Sequence, residues 1–271
     1  GVFGTMNLLD PANGGVLETF TSESPDGATK ALNLTDGNTV SYWRSESTPE
    51  TNQVFVYSFT NYMGAVLTKA VFNNYGDNGS RDFEVQTSMD GVNFDTVASG
   101  TLLNQESAQE FPIGNIACRT VKLVVSSGAA ADAWELAEFA VHGVMTDDPD
   151  DDGMPDWWEM QYFGDFSRDG TGDYDDEGLL DGQERDFGTS PLLKDTDGDG
   201  QSDWAESIAG TAGTNDLDFF SIKEIGATSE AIGPFVLYWD SVTGRTYRLF
   251  IGGSVLGGWS NVLQVTGDGQ Q

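Results

Sequence analysis

Three twelve-residue segments between Asp148 and Glu206 constrain the fold of this chain more than any other feature. The first runs from Asp148 to Glu159 with Asp150, Asp152 and Asp156 between. The second runs from Asp173 to Glu184 with Asp175, Glu177 and Asp181, and the third from Asp195 to Glu206 with Asp197, Asp199 and Asp203. In each, acidic side chains fall at positions one, three, five, nine and twelve, and Gly153, Gly178 or Gly200 falls at position six. Carboxylates this close repel one another unless a cation lies between them. A hard cation such as calcium takes about six to eight oxygens from a looped backbone with this spacing. The glycine allows the sharp turn, and position seven offers a backbone carbonyl, here from Met154, Leu179 and Gln201. The glutamates at position twelve are long enough to reach back with both oxygens. Three calcium ions are therefore expected, one per segment.

The residues after each loop repeat as well. Trp157, Trp158 and Phe163 precede Gly164, Leu179, Leu180 and Phe187 precede Gly188, and Trp204 and Ile208 precede Gly210. Each set predicts a short helix that begins inside the loop and stops at a left-handed glycine. Helices this short are unstable alone in water, so they must pack while ions hold the loops. The D-x-D-x-[DE]-G-x-x-D-x-x-E spacing, with Gly188-Thr189-Ser190-Pro191 leading to Asp195, resembles thrombospondin type 3 repeats and the aspartate-rich calcium repeats of secreted bacterial proteins, over about residues 146–216. No full helix precedes each loop as in an EF-hand, which argues for a structural site rather than a sensor that opens and closes.

The chain of 271 residues has 12 basic against 44 acidic side chains and a net charge of −32. That balance excludes a general affinity for nucleic acid, which needs clustered Lys and Arg. The single cysteine, Cys118, forbids an intrachain disulfide and falls in a strand-like run, 116–125, where a buried inert thiol is expected. No apolar run reaches the eighteen or so residues of a membrane span. No signal peptide is visible, and an opening at Gly1 without methionine leads us to expect a processed or excised product, extracellular or at a cell surface.

Residues 1–144 show short strands at 54–59, 65–72, 82–87, 120–125 and 138–141, with tight turns at Asp90-Gly91 and Asp77-Asn78-Gly79. No helical period intervenes, which predicts an antiparallel β-sandwich. Asn7-Leu8-Leu9, Leu34-Thr35-Asp36-Gly37-Asn38 before Tyr42-Trp43, Arg81-Asp82-Phe83-Glu84-Val85 running to Phe94, and Trp134 to Gly143 together resemble discoidin-type domains, the coagulation-factor C-terminal fold shared with family 32 carbohydrate-binding modules. The resemblance implies a jelly roll with one structural calcium, held here by Asp36 and Glu138 with backbone carbonyls from 34–41. It implies binding of glycans, lipids or proteins through loops at one end of the barrel. Trp43, Arg44, Tyr75, Arg81 and Trp134 are the candidates for sugar contact, each weighed against a packing role. The lone His142 lies in the closing strand, where packing or exposure is expected.

Residues 217–271 are β-patterned at 219–225, 235–239, 246–251 and 259–265, and Pro234 to Leu249 resembles small fibronectin-like sandwiches. Four or five strands fall short of the usual seven. Either the chain continues, or a neighbour supplies a strand, with the apolar segment 1–6 as candidate. The expected fold is thus mainly β: a jelly-roll β-sandwich at 1–144, three calcium loops with short helices at 145–216, and an incomplete second sandwich at 217–271. No H-E-x-x-H, C-x-x-C or G-x-S-x-G is present, and the paired carboxylates are accounted for by calcium, so no catalytic function is expected. Two functions compete: a calcium-stiffened structural or adhesion protein that polymerises with itself, and a glycan-binding accessory module of a larger secreted enzyme.

Overall fold

A computed structural model describes residues 6–47, 49, 51–227, 235–239, 241–251 and 260–267. The chain divides into two compact units, Gly1–Phe166 and Ser167–Gln271. The structure is mainly β, and its sheets are antiparallel.

The first unit is a two-sheet sandwich. One sheet orders its strands β1 (Gly15–Phe20), β3 (Gln53–Phe59), β8 (Thr120–Val125), β5 (Asp82–Ser88) and β6 (Asp95–Thr101). The other runs β2 (Trp43–Arg44), β9 (Glu135–Thr146), β4 (Gly64–Asn74) and β7 (Gln109–Cys118). Alternation puts Phe55, Tyr57 and Phe59 of β3 on the inner face, where they meet Leu67, Phe72, Phe83, Leu123 and Phe139. Phe72 sits at the centre of this layer, 4.4 Å from Phe83 and 5.0 Å from Phe139 between ring centroids.

The strand expected at 120–125 is β8, and the strand-like residues just before it, 116–118, belong to β7. Cys118 ends β7 and Thr120 begins β8, in different sheets, with Arg119 at the corner. Strand β6 has no predicted counterpart: it is an edge strand with no fully buried residue, only Val97 and Ala98 leaning on the core. At twelve residues, β9 is long enough to connect the two ends of the sandwich, roughly 36 Å at 3.3 Å per residue. Its first residues pair with β2, Arg44 opposite Glu135, and its last residue, Thr146, pairs with Gly64.

The acidic segments supply three helices of seven residues, α1 (Asp156–Tyr162), α2 (Asp181–Phe187) and α3 (Asp203–Ala209). Each starts at position nine of its loop. Gly164, Gly188 and Gly210 take left-handed φ values of 79°, 90° and 86° after them, where a side chain would be strained. The carbonyl of the position-twelve glutamate accepts two N–H groups each time, as when Gly188 and Thr189 both donate to Glu184. Helix α1 falls in the first unit, and α2 and α3 fall in the second.

In the second unit, β10 (Ile222–Ala227) pairs with β11 (Phe235–Trp239), and β12 (Thr246–Ile251) with β13 (Ser260–Thr266). The segment 1–6 proposed for strand exchange lies outside the described residues except for Met6.

Candidate functional site

Two kinds of site emerge, and the acidic loops are the more sharply built. All three share one backbone: position six is left-handed at Gly153, Gly178 and Gly200, and so is position four at Asp151, Asp176 and Gly198. The position-one aspartate closes each turn. The N–H groups of Asp152 and Gly153 donate to Asp148 at 3.2 and 3.0 Å, those of Glu177 and Gly178 to Asp173 at 3.2 and 2.9 Å, and those of Gly198 and Gly200 to Asp195 at 2.7 and 2.9 Å.

This folding brings like charges together. Oxygens of Asp148, Asp150 and Asp152 lie within 4.8 Å of one another, and so do those of Asp195, Asp197 and Asp199. Glu159, Glu184 and Glu206 are fully buried at position twelve. Both oxygens of Glu184 and one each of Asp175, Glu177, Asp197, Asp199 and Glu206 are buried without a hydrogen-bond partner. Buried carboxylate oxygens are ordinarily satisfied, so this arrangement fits a hard, oxygen-seeking cation. Burial, with Asp175 and Asp181 alongside, pushes Glu184 up to about 8. Burial and the charges of Asp197 and Asp199 push Glu206 up to about 7, and burial with Glu177 beside it takes Asp175 to about 6.

The position-nine aspartates are the ones most fully engaged by protein donors. Asp156, Asp181 and Asp203 are fully buried but face protein donors. Asp181 accepts the N–H of Tyr174 at 2.9 Å and an ion pair from Arg168. Asp203 accepts both the N–H and the hydroxyl of Thr196, at 2.9 and 2.7 Å. Tyr174 and Thr196 stand at position two of their loops. In the first loop position two is Pro149, which has no N–H, and Arg119 takes its place. Its guanidinium pairs with Asp156 through Nε and through Nη2 at 2.6 Å, and with Asp150 at 2.9 Å. The position-seven residues Met154 and Leu179 are buried and Gln201 is half-buried.

The second and third loops face each other within their unit. Glu177 accepts the N–H of Trp204 at 2.9 Å, and Lys194 reaches the Asp176 carbonyl at 2.8 Å.

In the sandwich, Asp36 and Glu138 are adjacent as the sequence led us to expect. Glu138 accepts the Asn38 N–H at 3.0 Å, and burial with Asp36 beside it pushes it up to about 8.

The sugar-contact candidates separate. Trp43 is fully buried against Phe55, its indole N–H donating to the Ser22 carbonyl at 2.8 Å, so it has no face to offer. Trp134 is buried too, packed over Gly128. Arg81 is half-buried beside Asp82, with its Nε sealed from solvent. Tyr75 and Arg44 remain at the surface, and residues that the sequence reading passed over complete their setting. Tyr42 stacks on Tyr75 with centroids 3.7 Å apart and planes 13° from parallel. Arg44 pairs with Glu135 at 3.3 Å, and Asn78 donates to the same carboxylate at 3.4 Å. Burial, then the Glu135 charge, raises the Tyr42 hydroxyl above its ordinary value. Stacked rings beside a guanidinium, a carboxylate and an amide offer what a sugar presents, an apolar ring face edged with hydroxyls.

Residues 19–139 match the F5/8 type C domain family. Similar solved structures include the C-terminal domain of a chitobiase from Bacteroides fragilis, at 19% identity, covering 49% of this chain and 95% of that one with a TM-score of 0.44. Another is a family 32 carbohydrate-binding module from Clostridium perfringens in complex with GalNAc-β-1,3-galactose, at 23% identity, covering 47% and 94% with a TM-score of 0.41. A third is chitosan-binding module 2 of a chitosanase/glucanase from Paenibacillus sp. IK-5 in complex with chitotriose, at 19% identity, covering 46% and 94% with a TM-score of 0.40. No curated protein matches the chain.

Proposed function

We propose that this chain is a non-catalytic, secreted or cell-surface glycan-binding module of the discoidin type, followed by a thrombospondin type 3-like segment that calcium braces. The F5/8 type C match over 19–139 supports the binding role. The stacked Tyr42 and Tyr75, with Arg44, Asn78 and Glu135 around them, are the side chains we assign to sugar contact. Of the two readings that the sequence left open, the glycan-binding one is thereby preferred to the self-polymerising one.

Calcium in the acidic loops is carried by one observation: buried carboxylate oxygens with no hydrogen-bond partner converge in turns of the right spacing. The first ion would be held by Asp148, Asp150, Asp152, Glu159 and the Met154 carbonyl. The second would be held by Asp173, Asp175, Glu177, Glu184 and the Leu179 carbonyl, and the third by Asp195, Asp197, Asp199, Glu206 and the Gln201 carbonyl. Asp156, Asp181 and Asp203 orient the loops from behind. A bound calcium supplies positive charge and no redox or acid chemistry here; the residues supply shape. A fourth ion between Asp36 and Glu138 would fix the 34–41 loop. The proposed divisions are the sandwich, the calcium segment and a fibronectin-like C-terminal piece.

The test is a glycan array with calcium present. Specific binding that is lost in Arg44→Ala and Tyr75→Ala, and kept in Trp204→Ala, supports the assignment. Absence of binding to any glycan, or binding indifferent to both substitutions, overturns it.

A further inference from the structure

A pair of exposed aromatic rings, Tyr62 and Trp157, lies at the other end of the sandwich from Tyr42 and Tyr75. There the turn Thr60–Tyr62, between β3 and β4, touches α1. The two ends are the two ends of β9: Glu135 pairs beside the first cluster, and Thr146 pairs with Gly64 beside the second.

The backbone of this turn is unusual. Asn61 and Tyr62 are consecutive non-glycine residues at a φ of 58°. Asparagine tolerates the left-handed region, but a bulky tyrosine is costly there. Strain of this kind persists where the surroundings impose it, and it concentrates at binding sites. Burial of the ring does not repay it, because Tyr62 is 54% exposed. Across the hollow stands Trp157, 45% exposed, on a helix whose inward positions are already taken by Asp156, Trp158 and Glu159. Met160 and Gln161 complete the lining of this shallow, open hollow of about 320 Å³. That is at the lower end for small-ligand pockets, which run from roughly 300 to 1,000 Å³. Neither the Asn61 nor the Gln161 amide has a partner among the described residues.

We propose that Tyr62 and Trp157, flanked by the Asn61 and Gln161 amides, form a second carbohydrate site that takes a pyranose ring of an uncharged oligosaccharide. Aromatic faces suit the C–H face of the ring and the amides suit its hydroxyls. The restriction to uncharged sugars comes from the neighbourhood. A Cβ added at Gly64 would lie 2.7 Å from Pro149, so the acidic loop borders the turn and repels uronates or sulfates. The assignment does not rest on the Tyr42 and Tyr75 cluster, and a chain with both sites would bind a long glycan more tightly than either alone.

Backbone amide resonances of the full chain, followed during titration with β-1,4-linked glucose, N-acetylglucosamine and mannose hexamers, test the proposal. At least one hexamer should shift residues 61, 62 and 157–161. Trp157→Ala should weaken that response by roughly tenfold, the loss of one aromatic platform. Tyr62→Gly should weaken it as much while raising the melting temperature, since glycine is at ease in the left-handed region. A purely structural tyrosine would not give that opposite movement. Tyr75→Ala reports on the first site and leaves this readout untouched, so the two assignments fail separately. The proposal is overturned if no hexamer shifts these residues at millimolar concentration, or if the shifts survive both substitutions. Sedimentation in which Trp157→Ala converts a dimer to a monomer would also overturn it, by giving the patch to a second copy of the chain.

Discussion

The sandwich and the acidic repeats bury opposite kinds of side chain. Inside the sandwich the most enclosed residues are Phe55, Phe72, Leu123 and Phe139, whose removal from water stabilises the fold directly. Inside the repeats the most enclosed are Asp156, Glu159, Asp181, Glu184, Asp203 and Glu206. Burying charge without a partner is costly, so the first region stabilises itself, whereas the second, on the function proposed above, draws its stability from a cation. The two kinds of region therefore respond oppositely to the same treatments.

Chelation gives the largest expected effect. Calorimetry after calcium removal should show the transition of the second and third repeats abolished, with protease cutting near 173–206, while the sandwich still melts cooperatively. Phe72→Ala is the converse. It should cost about 3–5 kcal/mol in urea titrations of the sandwich, by the same amount with or without calcium.

Arg119 tests the boundary between the two regimes, because it stands in for an N–H that Pro149 lacks. Its guanidinium lies 4.0 Å from the Phe166 ring and pairs with the fully buried Asp156. Arg119→Met should cost about 3 kcal/mol by leaving a buried charge unpaired, and Asp156→Asn in the same background should restore part of that loss. Glu184→Gln should lower the melting temperature of the calcium-loaded form, since it removes one carboxylate oxygen from the second loop, and should leave the chelated chain, whose repeats are already unfolded, unchanged.

The smallest effect concerns the sandwich alone. Burial pushes the Cys118 thiol up to about 12, above its ordinary value. A raised acid of this kind favours its neutral form, so its contribution to stability is complete below the thiol's unfolded value and is lost as pH rises from there toward 12. At pH 8 a disulfide reagent should label the native chain far more slowly than the unfolded one.

How much of this was legible depends on the range of the interaction. The left-handed Gly153, Gly178 and Gly200, the helix starts and the stops at Gly188 and Gly210 follow from spacing within a dozen residues, and the sequence shows them. The role of position nine does not, because Asp156 is answered by Arg119, 37 positions away. The one clue in the sequence was Pro149, whose missing N–H makes the first loop unlike the others. Tyr42 and Trp43 show a second limit. Tyr42 falls just before the two-residue β2, a strand too short to announce which of two adjacent rings turns inward, and the larger ring went to the core. The edge strand β6 was invisible because its two apolar residues, Val97 and Ala98, are adjacent and flanked by polar ones, leaving no alternation to read.

Whether cations hold the repeats in shape is decided by titrating calcium into the chelated chain in a calorimeter while following the melting of the second unit. At least three ions should bind, one for each acidic loop, and the transition should return as they do. Repeats that melt identically with and without calcium, or that take up no ion, would show that cations do not hold them in shape.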